Sequence, residues 1–375
     1  MKRLRTIIIK EFIHILRDPR TLFLIVILPA MLLVLLGYGV SGETKDAPMA
    51  VADLSRTDES RRYVEYFTAS DNFEVTYMVM NEEEILTLID QDEVQTGMLI
   101  PEDFGRSLAT GEPTEVQLYV NAADPSIAQT AQLTLDTIGQ MAVQDIFQDQ
   151  ISRAFGSGDL ELPISTHLRM LYNPDGKMEM YMIPGLMAIL LQVMALLLTA
   201  MGIVREREQG TMEQLIVTPI KSWELMLGKM IPYLLVGLVN TIGTLLVAVL
   251  LFNIPIVGNI WLLILLTMVF ILGSLGMGVL ISNISQTQMQ AMYLAVGIVI
   301  VPAIILSGLM FSRSGMPWIT YWIGEALPVT HYLEIVRGVM LKGIGLEFLW
   351  PSIRSLIILS VVYFLASVAA FRKRI

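Results

Sequence analysis

Long stretches of the chain contain no charged residue, and their lengths predict helices that cross a membrane. The longest covers the 83 residues from 230 to 312, which include no Asp, Glu, Lys, Arg or His. A single span needs about 20 apolar residues, so this stretch predicts three spans, which the polar segments 253–259 and 283–290 separate. With three further apolar stretches, the six predicted spans are 21–40, 183–204, 230–252, 260–282, 291–311 and 350–371.

A different pattern, short apolar segments in alternation with amphipathic ones, occupies the region between the first two predicted spans. Strands that alternate with helices are typical of an α/β domain. The predicted fold is therefore an α-helical polytopic membrane protein with six transmembrane helices and an inserted α/β domain that contains a mixed sheet. Its predicted strands are 49–54, 73–80, 97–100, 116–120 and 167–171, and its predicted helices are 58–69, 82–90 and 125–155.

The composition supports both parts of this prediction. Hydrophobic residues make up 54% of the chain, charged residues only 16%, and the mean hydropathy is +0.62, which argues against a purely soluble protein. The net charge of −10 is unevenly distributed, because residues 42–178 contain 25 acidic and 8 basic residues and carry a net charge of −17. This balance argues against a nucleic-acid partner. The absence of cysteine excludes disulfides and thiolate metal sites.

Basic residues predict the orientation of the spans. They concentrate in residues 2–20, 205–229 and 372–374, which all lie on one side if six spans are present. The positive-inside rule makes that side cytoplasmic and the acidic domain extracytosolic. A cleaved signal peptide is the alternative for the N-terminus, but residues 37–41 offer no clear small-x-small cleavage site. The predicted segments are a cytoplasmic helix at 1–20, a span at 21–40, the extracytosolic domain at 42–178, the remaining spans at 183–371 with a cytoplasmic loop at 205–229 and an outer segment at 313–347, and a cytoplasmic tail at 372–375.

The segment before the first span has the period of an amphipathic helix. At about 100° per residue, Lys10, His14 and Arg17 fall on one side and apolar residues such as Ile8 on the other. Such a helix would lie on the inner leaflet, with its cations near lipid head groups. The alternative is a basic flank without a mechanical role.

No constellation typical of an enzyme occurs in the sequence. A phosphate-binding loop of the form G-x-x-x-x-G-K-[ST] is absent, since Gly228-Lys229 is followed by Met230. The histidines at positions 14, 167 and 331 are predicted in different parts of the molecule, so they cannot share a metal ion. The acidic run 82–84 is typical of a helix N-terminus, with a cation site as the alternative, and the 24 methionines favour flexible apolar packing over a metal path. We therefore expect no metal or cofactor on this chain.

The predicted cytoplasmic loop carries the most specific local pattern. Residues 205–219, REREQGTMEQLIVTP, predict a charged helix that continues span two, is weakened at Gly210 and stops at Pro219. A charged helix–break–helix next to a membrane suits the docking of a cytosolic protein. The alternative is that its cations only snorkel at a helix end. The carboxylates of Glu206 and Glu213 are expected to face water.

This loop, with the following ELMLGK, resembles that of ABC exporter permeases of the type-2 class, whose pattern is E-x-E-x-G-T-x-E-x-L followed by Pro and Gly-Lys. The resemblance covers nearly the whole chain and is closest to the subgroup with one large extracytosolic domain between spans one and two. Four further segments resemble the same family in the same order: KEFIHILRDPRTL its elbow helix, TGMLIPEDF its outer domain, YNPDGKMEMYMIPGLM its entry into span two, and ALPVTHYLEIVRGVMLKG the segment before its last span.

The resemblance implies a permease subunit of an ATP-driven exporter in a bacterial inner membrane. In that family two permeases, identical or homologous, bind two cytosolic ATP-binding-cassette subunits, which hold the ATP and Mg²⁺. The subgroup also works with a periplasmic adaptor, for which the acidic outer domain offers a surface. The motif positions place coupling to the ATPase at Glu206, Glu208, Gly210, Thr211 and Glu213, elbow contacts at Lys10 and Arg17, and an outer group with gating or structural roles at Glu325, His331, Glu334 and Arg337.

The predicted substrates are lipophilic or amphipathic, drug-like molecules, because the predicted spans contain no acidic residue that would favour ion passage. A sodium-type efflux permease is the alternative within transport. A membrane-anchored receptor or scaffold with a ligand-binding outer domain is the alternative from another class, but an anchor does not need six spans.

Overall fold

The computed structural model of the protein describes residues 2–17, 19–40, 47–69, 73–110, 112–121, 171–173, 177–210 and 222–370. The chain divides into two compact units, one formed by Met1–Gly42 with Leu171–Ile375 and the other by Glu43–Met170. The first unit is helical, and the second contains a four-stranded sheet.

Most of the elements follow one another as the hydrophobic pattern predicts, but the short helix Phe104–Thr110 was not predicted. Two π-helical segments, Ala295–Ile300 and Gly338–Lys342, interrupt the regular helices. In chain order, the elements are α1 (Lys2–Arg17), α2 (Pro19–Val40), β1 (Ala47–Asp53), α3 (Asp58–Thr68), β2 (Phe73–Met78), α4 (Glu82–Asp90), β3 (Thr96–Ile100), α5 (Phe104–Thr110), β4 (Gln117–Val120), α6 (Met178–Glu208), α7 (Ser222–Leu250), α8 (Ile260–Ile284), α9 (Gln288–Leu294), α10 (Val301–Leu306), α11 (Trp318–Glu325), α12 (Pro328–Arg337) and α13 (Leu346–Ala370).

Within the described residues, five helices are long and apolar enough to cross a membrane. They are α6, α7, α8, α13 and the continuous helix Gln288–Leu306, which α9, the first π-helical segment and α10 form together. The first predicted span corresponds to α2, whose apolar part, Ile25–Val40, is shorter. The protein is therefore a multi-pass membrane protein, and the sixth span stays a prediction.

Both polar segments that were expected to separate the middle spans are turns. Asn259 caps α8, because its Oδ1 accepts hydrogen bonds from the backbone N–H groups of Trp261 at 2.9 Å and Leu262 at 3.3 Å. Thr287 caps α9 in the same way, with 3.2 Å between its Oγ1 and the backbone N of Gln290. The caps satisfy N–H groups that lack a partner inside the helix, so these helix ends follow from the sequence.

Helix α8 packs closely against α6 on one side and α13 on the other. A Cβ atom on Gly278 would lie 2.6 Å from the carbonyl oxygen of Leu196 in α6, and one on Gly273 would lie 2.6 Å from Oγ of Ser360 in α13. Small residues that let helix backbones approach are typical of helix interfaces in membranes. Helices α6 and α8, the most buried of the candidate spans, therefore form the packed centre of the helical unit, and α13 packs against α8 from outside.

The second unit contains the mixed sheet that the sequence predicts. Its strand order is β2-β1-β3-β4, with β1 parallel to both neighbours and β4 antiparallel to β3. Parallel neighbours need a crossover connection, which α3 and α4 supply. The four strands and the helices at 58–69 and 82–90 lie within two residues of their predicted bounds. The helix predicted at 125–155 and residues 167–170 of the fifth predicted strand lie outside the described residues.

Candidate functional site

Four charged side chains meet where α1, α6 and α7 come together, and we call them the elbow cluster: Lys10, Glu11, Glu206 and Lys229. The Nζ atom of Lys229 lies 2.6 Å from Oε2 of Glu206 and 3.4 Å from Oε1 of Glu11. Lys229 exposes only 2% of its side chain and Glu11 only 6%. A buried lysine is costly unless its charge is paired, and here two carboxylates from two different helices pair it.

Lys10 closes the cluster on its half-exposed side. Its Nζ atom lies 3.1 Å from Oε1 of Glu206 and 3.2 Å from Oε1 of Glu11. Burial lowers the pKa of Lys10, but the carboxylates of Glu206 and Glu11 outweigh this effect and hold the pKa above its ordinary value. Two cations and two anions therefore form a neutral group that links three helices.

Close backbone approach makes these contacts possible. A Cβ atom on Gly228 in α7 would lie 2.6 Å from Cγ2 of Ile7 in α1, so a larger residue would push the elbow helix away from Lys229. Apolar residues from four helices fill the space beside the cluster. They are Ile7, Ile203, Leu225, Met226 and Val279.

The structure corrects one expectation for the loop. The carboxylate of Glu206 was expected to face water, but it is turned towards Lys229 and keeps 17% of its side chain exposed. The reason is electrostatic, because Lys229 would otherwise be buried without a counter-charge. Glu208 is exposed and bonds Gln288. Thr211 and Glu213 lie outside the described residues.

Helix α6 ends at the predicted weak point. Its last residue is Glu208, and Gly210 has a φ of +69°, in the left-handed region that favours glycine. Among the residues that the structure describes, and apart from its chain neighbours, no heavy atom would lie within 4 Å of a Cβ at Gly210. Of the two predicted elbow residues, Lys10 belongs to the elbow cluster, and Arg17 is an exposed residue at the end of α1.

A second group of polar residues, which we call the distal cluster, lies near the opposite end of α6 and consists of Tyr181, Arg313, Glu325, His331 and Arg337. Arg313 pairs with Glu325, with 2.6 Å between Nη2 and Oε1. Nε2 of His331 lies 2.9 Å from the backbone oxygen of Glu325 and 3.5 Å from its Oε2. The guanidinium of Arg313 also lies 4.5 Å from the ring centre of Tyr321. The predicted outer residues Glu325 and His331 are therefore in contact.

Arg337 makes a separate set of contacts that ties α12 to α6. Its Nε donates to the carbonyl of Tyr181 at 3.2 Å, and its Nη1 donates to the carbonyl of Gly308 at 3.1 Å. The guanidinium lies 3.6 Å from the centre of the Tyr181 ring, and the Tyr181 hydroxyl donates to the same Gly308 carbonyl at 2.8 Å. Glu334 lies apart from both groups, because its carboxylate accepts a hydrogen bond from Ser352 of α13.

Sequence reasoning missed Glu11, Lys229, Arg313 and Tyr181 as site residues. One signal was available for the first two. Glu11 lies at the border of the polar side of α1, and Lys229 is a lone cation at the start of an 83-residue uncharged run. Each position is costly for a charge unless a partner is close. Arg313 and Tyr181 gave no comparable signal.

Each of the two clusters joins several helices. All four elbow-cluster charges are paired, and the distal contacts join α6, α11, α12 and the turn after α10. Across the part of the chain that the structure describes, no group of three or more His, Asp or Glu side chains is arranged to hold a metal ion.

Comparison with known proteins gives consistent matches along the whole chain. A family model described as ABC-2 family transporter protein matches residues 19–369. The protein named probable multidrug ABC transporter permease YbhR, from Escherichia coli strain K12, is 28% identical over 376 residues, which cover 100% of this chain and 99% of that protein.

Two further relatives come from the same E. coli strain. The probable multidrug ABC transporter permease YbhS is 27% identical over 372 residues, which cover 99% of this chain and 94% of the relative. The inner membrane transport permease YhhJ is 27% identical over 383 residues, which cover 100% of this chain and 99% of the relative.

Proposed function

Because the chain belongs to the ABC-2 transporter family, we propose that it is the permease subunit of an ATP-driven exporter and that separate cytosolic ATP-binding-cassette subunits bind and hydrolyse the ATP. Two observations support this division of labour. The sequence lacks a phosphate-binding loop, and relatives of nearly equal length are named permeases.

The elbow cluster is the observation that carries the proposal. Residues 211–221 connect α6 to α7, so a protein that moves this connection acts on both helices. Lys229 joins α7 to α6 through Glu206 and to the elbow helix through Glu11. Separating these helices would leave a buried charge unpaired, which costs about 3–5 kcal/mol. A displacement of the connection is therefore transmitted to α1, α6 and α7 together.

The proposed docking surface for the cassette subunit consists of residues of the loop after α6. Glu208, the last residue of α6, and Gly210 are exposed, and Thr211 and Glu213 continue the same motif. We propose that these residues contact the cassette, whereas Glu206 and Lys10 hold the elbow helix against the loop. Arg17 would face lipid head groups at the end of the elbow helix.

The proposed substrates are lipophilic or amphipathic molecules. Two relatives are named multidrug permeases, and the predicted spans contain no acidic side chain. The distal cluster, together with Glu334, would act at the outer end of the path. Its ion pair and hydrogen bonds hold α11 and α12 in place, so their rupture would accompany release of the substrate.

The proposed setting is a bacterial inner membrane, with both termini cytoplasmic and residues 42–178 extracytosolic. The basic segments support this orientation, and one relative is named an inner membrane permease. The proposed assembly contains a second permease, identical or homologous, and two cassette subunits. A periplasmic adaptor that meets the acidic domain is a further proposed partner.

The experiment that tests the function is purification of the tagged permease from its own host, followed by identification of proteins that remain bound. We expect an ATPase with a phosphate-binding loop. The complex in inverted vesicles should then accumulate a fluorescent amphipathic dye when ATP is added. A cassette variant that binds but does not hydrolyse ATP is the control. A stable permease without a bound ATPase, or dye uptake that is equal in the control, would contradict the proposal.

A further inference from the structure

Arg207 binds the end of a different span. Its Nη1 atom donates to the carbonyl oxygen of Ser282 at 3.0 Å and to that of Ser285 at 2.7 Å. Ser285 is the C-cap residue that directly follows α8. The last carbonyls of a helix have no partner within the helix and carry a partial negative charge. The cation of Arg207 therefore caps the C-terminus of α8 from the neighbouring helix α6.

The next residue of α6 binds the start of the following span. Oε1 of Glu208 accepts a hydrogen bond from the backbone N–H of Gln288 at 2.9 Å, and Oε2 accepts one from the Gln288 side-chain amide. Gln288 is the first residue of α9. The first N–H groups of a helix are unpaired and carry a partial positive charge. Two adjacent, opposite charges of α6 thus match the opposite ends of two successive helices.

The turn between those helices is held by its own bonds. The backbone N–H of Gln286 donates to Oε1 of Gln290 at 2.8 Å, and Oγ1 of Thr287 accepts from the backbone N–H of Gln290 at 3.2 Å. Of the carboxylates that the structure describes, none lies within ion-pair distance of Arg207, whereas the carbonyls of Ser282 and Ser285 both bind it. The turn is therefore a unit that α6 holds at both sides.

We propose that Arg207 is a positioning residue that makes the turn between α8 and α9 move with the end of α6. We call its contacts and those of Glu208 with Ser282, Ser285 and Gln288 the turn clasp. The inference rests on the proposed function, in which the cassette moves the loop that follows α6. The turn clasp then carries this movement to α8 and α9, because its rupture would leave the Arg207 charge and two carbonyls without their partners.

Three substitutions separate this role from a general effect of charge. Arg207→Met removes the donors and keeps an apolar stem of similar length. Arg207→Lys returns one cationic nitrogen, and one nitrogen suffices for both carbonyls, since Nη1 of Arg207 alone binds them now. Arg205→Met is the matched control, since it removes the same charge from an exposed position on the same helical turn.

The test measures a distance in the complete complex of permease and cassette subunits in lipid nanodiscs. The chain has no cysteine, so Gln209→Cys and Gln286→Cys, both at exposed positions, accept spin labels without other changes. Pulsed EPR is recorded without nucleotide and with ATP and vanadate. Singly labelled complexes supply the distances between copies.

In the complex with native Arg207 and with Arg205→Met, we expect the distance between labels to differ by less than about 2 Å between the two states. In Arg207→Met the distance should change with nucleotide, and ATP-driven dye export should fall about tenfold while ATP hydrolysis persists. Arg207→Lys should recover both properties, which a loss of folding would not allow. Gln288→Ala keeps the contacts of Arg207 and the backbone N–H bond to Glu208, so its effect on the distance and on export should be smaller than that of Arg207→Met.

Two results would overturn the inference. The first is a distance that changes with nucleotide in the complex with native Arg207. The second is an Arg207→Met complex that keeps both the distance and the export of Arg205→Met. A permease that binds no cassette would instead contradict the proposed function, and with it the inference.

Discussion

Glu206 and Lys229 form an ion pair with 2.6 Å between Oε2 and Nζ, although Lys229 is almost completely buried. The two residues belong to different helices, and the connection between those helices is the proposed docking loop. Burial of such a pair offers little net stability, but loss of one partner leaves the other charge in an apolar surrounding. The pair therefore determines which arrangement of α6, α7 and the elbow helix is stable.

Lys229→Met should destabilise the helical unit by about 3 kcal/mol, because it leaves Glu11 and Glu206 near each other with only Lys10 to balance them. Thermal unfolding of the purified protein in one detergent measures the effect. Arg17→Met is the matched control, since it removes an exposed cation from the elbow helix. Equal unfolding temperatures for the two variants would show that the pair does not hold these helices together.

Exchange of the charges of Glu206 and Lys229 tests whether Glu206 positions the helices or binds the cassette subunit. Glu206→Lys places three cations around Glu11 and should abolish ATP-driven export, because like charges at this separation repel. Addition of Lys229→Glu restores an opposite pair and should recover part of the export. If Glu206 instead acted as an anion on the cassette surface, the double variant would be as inactive as Glu206→Lys. Dye accumulation in inverted vesicles measures the export activity of the single and of the double variant.

Arg337→Met should lower the free energy of unfolding by about 1–3 kcal/mol, because the carbonyl of Tyr181 loses a donor and the ring loses its cation. Arg337→Lys should recover only part of this loss, since a lysine cannot donate to two separate carbonyls while stacked on a ring. Chemical unfolding in detergent gives the values. Arg354→Met, at an exposed position of α13, is the control, and a loss of equal size there would refute a special role for Arg337.

Gly97 offers a test of the sheet in the second unit. A Cβ atom at this position would lie 2.1 Å from Cγ2 of Ile85, so Gly97→Ala should destabilise the packing of α4 on β3 by about 1–3 kcal/mol. Limited proteolysis of the purified protein should then cut this unit faster. Ile85→Val keeps Cγ2 and should not rescue Gly97→Ala, whereas Ile85→Ala removes that atom and should. Rescue by Ile85→Val as well as by Ile85→Ala would show that Cγ2 of Ile85 is not the atom that clashes.

Deletion of residues 46–174, with a flexible Gly/Ser linker in their place, should leave the membrane helices inserted, because each span is apolar enough by itself. Cassette binding should persist, since its proposed contacts lie in the loop and elbow. Export should fail, because the proposed adaptor would lose its acidic partner surface. Efflux from cells measures the outcome, and full efflux without the domain would remove the adaptor from the proposal.

A companion measurement tests the electrostatic part of that prediction. The intact protein is crosslinked to periplasmic proteins at low and at high salt. Attraction that depends on the net charge of −17 in residues 42–178 should weaken as salt rises, because mobile ions screen exposed charges. Crosslinking that does not respond to salt would keep the partner but exclude charge as the reason for its binding.

The sequence predicts the helices of this protein better than their contacts. Asn259 and Thr287 begin helices because their side chains satisfy free N–H groups locally, and local chemistry is visible in a sequence. Glu11 and Lys229 are 218 positions apart, and nothing local indicates that their helices meet. Glu206 shows the same limit, since its neighbours in sequence are charged and predict exposure, whereas its partner in space is buried.

Arg337 illustrates a second reason why the sequence predicts contacts less well than helices. Its acceptors are backbone carbonyls of Tyr181 and Gly308, and every residue offers such a carbonyl. The type of side chain at an acceptor position therefore carries no signal. Only the paths of α6 and of the turn after α10 bring these oxygens to the guanidinium.

The elbow cluster also sets a rule for hybrid permeases. A loop moved from a relative into this chain brings its own residues at positions 206 and 229 but meets the resident Lys10 and Glu11. The charges in such a hybrid are paired only if the donor loop carries an acidic residue at position 206 and a basic one at position 229. Transfer of the elbow helix together with the loop removes this constraint, so the smallest exchangeable part of the protein consists of two segments that are far apart in the chain.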